Sequence, residues 1–198
     1  MFTGLVTSVG SVLAAVPTEG GVDLRVELAG LPQPSVGDSI ALSGVCCTVT
    51  AITHGVAQFH LGAETLRVTW LGRVRSGTRL NLEAALRAGD AIGGHLVQGH
   101  VDGVGELVRA VDRARGGELR VRLPAGMSRY VVSKGSITFD GVSLTVIEAD
   151  ADLVACWIIP HTACTTTLGE LRVGSPIHVE VDILAKYVER LIVPYRQT

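Results

Sequence analysis

The amino-acid sequence contains the same pattern twice, and this internal repeat restricts the possible folds more than any other feature. Residues 39–49 align without a gap on residues 136–146. The register continues later in each half, where Thr65, Thr69, Leu71, Gly72, Arg75, Gly77 and Glu83 correspond to Thr162, Thr166, Leu168, Gly169, Arg172, Gly174 and Glu180. Residues 23–28 match residues 118–123, and we align Gly4 with Gly103. Such a repeat predicts two domains of one fold.

Each half contains about six short apolar segments, separated by turns rich in Gly, Pro and Asp. The glycine pairs at 20–21 and 116–117 precede alternating segments, as hairpin turns do. Short strands at this spacing favour a small closed barrel over an open sheet. The predicted fold class is therefore mainly β, with two tandem, homologous six-stranded Greek-key-like barrels and a short C-terminal α-helix. We place the barrels at residues 1–94 and 95–182, and the helix and tail at residues 183–198.

Apolar residues near the C-terminus recur at helical spacing and predict a short amphipathic helix. They are Ile183, Leu184, Tyr187, Val188, Leu191 and Ile192. Asp182 is a suitable N-cap, and Pro194 ends the pattern. An isolated helix this short is marginal in water, so its apolar stripe must dock on another surface. Because the spacing suits a seam between helices, we expect this segment to serve oligomerisation.

The composition excludes several function classes. A net charge of −2 provides no field of one sign for a nucleic acid or an anionic membrane surface. A hydrophobic fraction of 47% with 18% charged residues indicates a globular chain with a substantial core. Ser, Thr, Gln and His interrupt the uncharged run at residues 39–63, so a buried β-hairpin explains it better than a membrane span. No secretory signal is recognisable at residues 1–5, and we expect a cytoplasmic protein.

The four cysteines do not have the spacing of paired zinc ligands. Cys46 and Cys47 are adjacent in a predicted strand, so their side chains should point to opposite faces. For these two, as for Cys156 and Cys164, the ordinary interpretation is a reduced thiol that serves as a small hydrophobic residue. One of the four remains a candidate for chemistry.

Characteristic short segments occur along the whole chain, in an order and spacing typical of one family. They are residues 1–6, 43–46, 64–66, 93–103, 140–145, 159–162 and 182–190. Together they resemble the riboflavin synthases with two lumazine-binding domains. Ser43 stands where the family usually has Asn, Cys47 where it has Leu, and Ala163 and Cys164 where a Leu and a polar residue are common. These changes are small, and we do not interpret them as loss of activity.

The resemblance implies an enzyme, a transferase that acts on two molecules of 6,7-dimethyl-8-ribityllumazine. One molecule donates a four-carbon unit to the other, giving riboflavin and 5-amino-6-(D-ribitylamino)uracil, and no cofactor or metal is needed. The resemblance also implies a homotrimer whose sites lie between chains, with two small-molecule substrates in each site and neither nucleic acid nor membrane as a partner. A duplicated chain suits this reaction, because two copies of one substrate need two similar pockets.

The resemblance further implies that Cys46, His100 and Ser143 are the catalytic groups. The C7 methyl group of lumazine is acidic, so one molecule must lose a proton while the other is electrophilic at the matching carbon. We expect the Cys46 thiolate to add at C7 or to position a water, and His100 to take the methyl proton. Cys46 in the first half corresponds to Ser143 in the second, so similar pockets carry different chemistry.

The implied substrate-binding residues form two sets, one for each half. In the first pocket they are Gly4, Leu5, Val6, Cys46, Cys47, Thr48, His60, Leu61, Gly62, Ala63, Glu64 and Thr65. In the second pocket they are Gly99, His100, Val101, Ser143, Leu144, Thr145, Trp157, Ile158, Ile159, Pro160, His161 and Thr162. Ser39, Lys134 and Asp182 are assigned to the substrate as well, although Asp182 equally suits a helix cap and Lys134 a solvated charge. His95, Asn81 and Glu83 match family positions too, and structural roles compete there.

Two other functions remain open on the sequence. The first is a non-catalytic lumazine- or flavin-binding relative, as occurs in light-emitting bacteria, in which only one pocket works. Retention of Cys46, His100 and Ser143 argues against it. The second is a structural pair of barrels, duplicated only for stability, which a fluorescence test with lumazine would distinguish. The sequence does not decide which barrel holds the donor, or whether thiolate or water adds at C7.

Overall fold

The first half of the chain forms a closed antiparallel barrel. The computed structural model describes residues 1–192. The six strands are β1 (Ser8–Thr18), β2 (Gly21–Glu27), β3 (Ser39–Leu42), β4 (Val45–Thr53), β5 (Val56–Gly62) and β6 (Arg79–Ala84). They follow one another around the barrel as β1, β2, β5, β4, β3 and β6, and β6 pairs again with β1. The alternation is clear in β2, where Leu24 and Val26 are buried and Asp23 and Arg25 point to solvent.

The second half repeats this barrel with the same order of neighbours. Its strands are β7 (Gly103–Arg109), β8 (Gly117–Arg122), β9 (Ser136–Phe139), β10 (Val142–Asp150), β11 (Leu153–Ile158) and β12 (Pro176–Val181). Each barrel encloses its own apolar core, with Phe59 in the first and Phe139 in the second. The predicted pair of closed six-stranded barrels is confirmed. The proposed boundary between residues 94 and 95 falls in the connection from β6 to β7 and stays a prediction.

The predicted hairpins are present. Residues His54 and Gly55 join β4 to β5 with φ angles of 49° and 77°. Glu19 and Gly20 join β1 to β2. The uncharged run at residues 39–63 therefore consists largely of three barrel strands. Among the described residues, no helix has the length and apolar character needed to cross a membrane.

Two short helices were not predicted from the sequence. α1 (Ala63–Val68) follows β5, and α2 (Pro160–Thr165) follows β11. A 3₁₀ turn comes after each of them, at Trp70–Arg73 and Thr167–Glu170. Helices of six residues are too short for a 3.6-residue period to be recognised. Proline at the first position of α2 was the available sequence signal.

The C-terminal helix α3 (Ile183–Ile192) is confirmed. Asp182 caps it, because its Oδ1 accepts the Leu184 N–H at 2.9 Å. Leu184, Tyr187 and Leu191 are exposed on its surface. Pro194, the predicted stop signal, lies outside the described residues. The helix contacts the second barrel through Lys186, whose Nζ donates a hydrogen bond to Asp102 Oδ1 at 2.5 Å.

The two barrels meet along a seam with approximate twofold symmetry, where the β3–β4 turn faces the β9–β10 turn. Gly44 and Gly141 lie against each other here, and a Cβ on Gly44 would sit 2.7 Å from the Gly141 nitrogen. Asn81 crosses the seam in one direction. Its Nδ2 donates to the Asp140 carbonyl at 2.9 Å, and its Oδ1 accepts the Thr167 N–H at 2.8 Å. The amide side chain therefore links the two barrels.

His178 is the counterpart of Asn81 and crosses the seam in the other direction. Its Nδ1 lies 2.8 Å from the Ser43 carbonyl, and its Nε2 accepts the Trp70 N–H at 2.9 Å. These partners require a neutral ring with its proton on Nδ1. Burial lowers the pKa of His178 to about 3, although the hydrogen bond to Ser43 acts in the opposite direction. The Trp70 ring stacks on the imidazole with centroids 4.6 Å apart.

Asp140 completes the buried cluster at the seam. Its Oδ1 accepts the Trp70 indole N–H at 2.9 Å and the His178 backbone N–H at 2.8 Å. Burial raises the pKa of Asp140 to about 7, against the lowering effect of these two hydrogen bonds. The equivalent position in the first half is Ser43, so the seam is asymmetric in chemistry while nearly symmetric in geometry.

Candidate active site

Two short segments run between the barrels and reach the opposite barrel with their later residues, whereas Phe2 still packs with Ala41 and Ala85 of its own barrel. We call residues 2–6 and 97–101 the crossing segments. They meet where Phe2 and Val97 exchange two backbone hydrogen bonds, of 2.7 and 3.2 Å, and both side chains are buried. Beyond this point the Gly4 carbonyl accepts the Ser143 N–H, and the Gly99 carbonyl accepts the Cys46 N–H, both at 2.8 Å.

Glycine is required at both positions by conformation and by space. Gly4 and Gly99 both have φ of +75°, in the left-handed region. A Cβ on Gly4 would lie 2.6 Å from the Ser143 Cβ, and one on Gly99 would lie 2.7 Å from the Cys46 Cβ. Only glycine brings the backbone of a crossing segment this close to the candidate catalytic residues.

This geometry corrects the grouping of site residues and one alignment made from the sequence. The counterpart of Gly4 is Gly99, not Gly103, because Gly4 and Gly99 share their φ angle and their position on the opposite barrel. Residues 4–6 therefore lie with Ser143, and residues 99–101 lie with Cys46. The grouping predicted from the sequence is the other way round, because each half of the chain was expected to form a self-contained pocket.

The Cys46 site is formed by β4, the end of β5, α1 and the second crossing segment. Cys46 is half-buried on the outer face of β4, while Cys47 lies in the barrel core, so the predicted opposite orientation is confirmed. Burial raises the pKa of the Cys47 thiol well above its usual range. Next to Gly99, the His100 side chain is exposed. Thr48 lies two residues after Cys46 on the same face of β4, and its side chain is exposed.

Two polar side chains near the end of β5, those of His60 and Glu64, are hydrogen-bonded to neighbouring side chains. His60 Nδ1 lies 2.7 Å from Asp23 Oδ1, which orients the imidazole along the outer face of β5. Glu64 accepts two hydrogen bonds from Arg67 on the surface of α1, and the side-chain hydrogen bonds lower the pKa of this carboxyl. Gly62, Ala63 and Thr65 continue this surface.

The Ser143 site is formed by β10, the end of β11, α2 and the first crossing segment. Ser143 Oγ lies 2.8 Å from His95 Nδ1, so the connection between the barrels supplies an imidazole to this site. Burial lowers the pKa of His95, and the negative charge of Asp182 partly opposes that effect. Leu5, at the position equivalent to His100, is 49% exposed, and Trp157 and Ile159 are 61% and 55% exposed. This site therefore combines a serine–histidine pair with an open apolar surface.

Some proposed binding residues have side chains inside the barrels. Cys47, Leu61, Leu144 and Ile158 belong to the two apolar cores. They alternate with outward-facing neighbours because successive strand residues point to opposite faces. Their side chains are therefore excluded from direct contact, and their assignment to the ligand stays a prediction that can involve only their backbone groups. Val6 and Val101 are partly buried against the cores, whereas Thr145, Pro160 and His161 are exposed and Thr162 is half-buried.

Ser39 lies opposite Thr48 on the strand next to Cys46, whereas Lys134 and Asp182 belong to the second barrel. Ser39 lines a cavity of about 770 Å³ that also includes Leu5 and Asp38. Asp182 lines a second cavity, of about 300 Å³, between α3 and the second barrel. Lys134 is exposed in a turn, with φ of +67°. Cys46, His100 and Ser143 line neither of these two cavities, but Leu5 of the Ser143 site lines the first.

Two sets of residues were missed or undervalued from the sequence. His178 and Trp70 gave no signal, because the contact between them joins distant parts of the chain. Glu83 and Glu180 were visible as repeat partners, yet only the structure shows what their carboxylates bind. Cys164 was expected to act as a hydrophobic residue, and this is wrong, since it is exposed and its Sγ contacts the Arg113 carbonyl at 3.0 Å.

Comparison with known proteins identifies the family. A model of the lumazine binding domain matches residues 3–85 and again residues 98–182. A riboflavin synthase of Mycobacterium tuberculosis is 44% identical over 97% of this chain and 98% of its own length. The chain belongs to the riboflavin synthase family with two lumazine-binding domains. Another member, from Photobacterium phosphoreum, is 37% identical over 97% of this chain and 89% of its own. The family resemblance seen in the sequence is confirmed.

Two solved structures share the fold of this chain. LumP in complex with riboflavin superposes with a TM-score of 0.83, at 21% identity, over 92% of this chain and 100% of that chain. LumP in complex with 6,7-dimethyl-8-(1'-D-ribityl) lumazine gives a TM-score of 0.81 at 21% identity, over 92% and 99% of the two chains. Each of the two matched sequence ranges contains all but the first residue of one crossing segment, so a family repeat in sequence is not a complete site in space.

Proposed function

We propose that this chain is a riboflavin synthase, a transferase that converts two molecules of 6,7-dimethyl-8-ribityllumazine into riboflavin and 5-amino-6-(D-ribitylamino)uracil. The observation that carries the proposal is the presence of two similar sites with unequal groups. In one site Cys46 lies beside the crossing segment that contains His100. In the other site Ser143 is hydrogen-bonded to His95. The near full-length relatives named riboflavin synthase support the same reaction.

The two sites divide the chemistry between the two lumazines. Because Cys46 and His100 share one site, they act on the same molecule, which is the acceptor of the four-carbon unit. The thiolate, or a water that it positions, adds at C7 of this molecule, and His100 moves the accompanying proton. The expectation from the sequence was instead that His100 takes the C7 methyl proton, with the donor site left undecided.

The donor lumazine occupies the Ser143 site in this proposal. Its C7 methyl group must lose a proton, and His95 is the base, because its lowered pKa keeps the imidazole neutral near pH 7. The bond from His95 Nδ1 to Ser143 Oγ leaves the other ring nitrogen free of that contact. Leu5, Trp157 and Ile159 provide an apolar surface for the ring. The resulting carbanion then attacks the acceptor.

Assembly brings the two lumazines together. Both sites are open on the single chain, and the exposed stripe of α3 suits contact between copies. The proposal therefore includes a homotrimer in which the Cys46 site of one chain faces the Ser143 site of another. A cytoplasmic location and the absence of a cofactor belong to the same proposal and rest on the family.

The test is turnover by the purified full chain in neutral buffer containing a chelator. We expect riboflavin to appear with a matching amount of the pyrimidinedione, while two lumazines are consumed for each riboflavin. Folded protein that binds lumazine without forming riboflavin would refute the enzyme assignment and support the non-catalytic alternative. Folded protein that neither binds nor converts lumazine would support the purely structural one.

A further inference from the structure

Two buried glutamates hold the crossing segments in place. We propose that Glu83 and Glu180 are positioning residues, each of which fixes the backbone of one crossing segment and thereby one candidate active site. The proposal concerns the opposite site in each case. Glu83, on the first barrel, controls the Ser143 site of the second barrel, and Glu180, on the second barrel, controls the Cys46 site of the first. The catalytic consequences rest on the proposed function, whereas the mechanical coupling does not.

The Glu83 carboxylate accepts three hydrogen bonds from the first crossing segment. Oε1 accepts the Thr3 N–H at 2.7 Å and the Thr3 hydroxyl at 2.8 Å, and Oε2 accepts the Gly4 N–H at 3.0 Å. Glu83 and Thr3 are buried, so water does not compete for these groups. Gly4 also contacts the second barrel, because its carbonyl accepts a hydrogen bond from the Ser143 N–H. The chain of contacts therefore runs from Glu83 through one glycine to Ser143.

Glu180 makes the equivalent contacts with the second crossing segment. Oε1 accepts the Gln98 N–H at 2.8 Å, and Oε2 accepts the Gly99 N–H at 3.1 Å. The Gly99 carbonyl receives the Cys46 N–H, so Glu180 acts on Cys46 through one glycine. Burial raises the pKa of Glu180 to about 7, with the Gln98 N–H acting in the opposite direction and the nearby Asp102 charge adding to the increase.

A carboxylate is the side chain that this arrangement requires. Two oxygens of one planar group must both accept N–H groups from adjacent peptides. A glutamine amide in the same place would point its NH₂ group at one of these N–H groups. One hydrogen bond is then lost, and two hydrogen-bond donors face each other. An aspartate retains both acceptors but withdraws them by one methylene. The glutamine and aspartate variants therefore perturb the same contacts in two different ways.

The test uses two local readouts in the full chain, with each glutamate as the control for the other. The first readout is the alkylation rate of Cys46, measured by peptide mass spectrometry relative to the exposed Cys164. The second is quenching of Trp157 emission by riboflavin, with Trp157→Phe identifying the contribution of that ring. Riboflavin is used as the probe because it does not require turnover.

At about pH 8.5, above the raised pKa of the Glu180 carboxyl, we expect Glu180→Gln to change the relative alkylation rate of Cys46 by about tenfold, the effect of losing one hydrogen bond to a charged acceptor. Glu83→Gln should change that rate less than Glu180→Gln does, because within the described residues the two segments are hydrogen-bonded to each other only through Phe2 and Val97. It should weaken quenching of Trp157 by a similar factor, while Glu180→Gln changes the quenching less. Turnover should fall in both variants, mainly in kcat. Glu180→Asp should change Cys46 alkylation, and Glu83→Asp should change Trp157 quenching, each in the same direction as the matching glutamine variant. If a glutamine variant does not fold, the matching aspartate variant is used in its place.

A merely structural role gives a different result. If both variants shift both readouts equally, or neither readout responds in folded protein, the positioning assignment is wrong. If the unmodified chain forms no riboflavin, the proposed function fails, but alkylation and quenching still decide whether the glutamates act on the opposite sites. The two failures are therefore distinguishable.

Discussion

Replacing His178 with Asn should change how the stability of the protein depends on pH. Asn81 already fills the equivalent position at the seam, where its amide donates to one carbonyl and accepts one N–H. Asn at position 178 can make the same two contacts, with the Ser43 carbonyl and the Trp70 N–H. It cannot be protonated. The variant therefore keeps the hydrogen bonds of the seam and removes its buried titratable base.

The expected size follows from the pKa of His178 in the two states. In the folded chain it is lowered to about 3, and in the unfolded chain it is about 6.5. A base with a lowered folded pKa contributes stability that is present above pH 6.5 and is lost as the pH falls toward 3. At pH 5 the wild-type chain should have lost about 2 kcal/mol of unfolding free energy through this residue, since each pH unit below 6.5 costs about 1.4 kcal/mol.

Asp140 has the opposite effect and must be separated from it. Its pKa is raised on folding, so its contribution is present at low pH and is lost as the pH rises through about 7. Asp140 occurs in both proteins, so most of its contribution cancels in the difference, and the remainder is the change in its 3.4 Å contact with His178 Nδ1. At pH 7.5 the variant should be less stable by about 1–2 kcal/mol, since it loses the stacked ring and leaves a small space.

The measurement is urea unfolding of both proteins at pH 7.5, 6.0 and 5.0, at one protein concentration so that assembly is held constant. The deficit of the variant should shrink as the pH falls and should vanish or reverse near pH 5. A difference between the two proteins that stays constant across this range would refute the assignment of His178 as a neutral, buried base.

Two further outcomes test the candidate site and the assembly. Cys46→Ser should lower turnover by about a hundredfold, as expected for a group acting directly on the substrate, whereas Cys47→Ser buries a hydroxyl in the core and should mainly lower the unfolding temperature; equal losses of turnover would contradict this distinction. Deleting the chain from Ile183 onward should give a folded monomer by light scattering with most activity lost, because the exposed stripe of α3 is removed. A truncated protein that remains a trimer, or a monomer that remains active, would argue against sites formed between chains.

The internal repeat was sufficient to predict the two barrels, because the aligned segments indicate both the number of strands in each half and the positions of the turns between them. Residues 39–49 and 136–146 indeed form the same strand–turn–strand unit in each barrel. The alternation of Cys46 and Cys47 also followed from local geometry alone. The cap at Asp182 and the start of α3 were predictable because capping depends on neighbouring residues.

The composition of each site was not predictable in the same way. Which half supplies Gly4 or Gly99 to a given site depends on the path of a few residues past the twofold axis, and no local pattern records that path. The seam was hidden for the same reason. His178 and Trp70 are far apart in sequence, and their contact becomes visible only after the barrels are placed. Repeats predict the units, whereas contacts between units require the structure.

The crossing segments explain how a duplicated chain acquires two unequal sites. If each barrel carried its own segment, each half would be a complete pocket able to change independently. Exchange of the segments instead makes Cys46 depend on Gly99 and Glu180, and Ser143 depend on Gly4 and Glu83. Each site is therefore built from both halves, and the difference between His100 and Leu5 in the crossing segments adds to the difference between Cys46 and Ser143 in the strands. In the proposed reaction two identical molecules must play different parts, and this exchange gives one duplicated fold two chemically different sites.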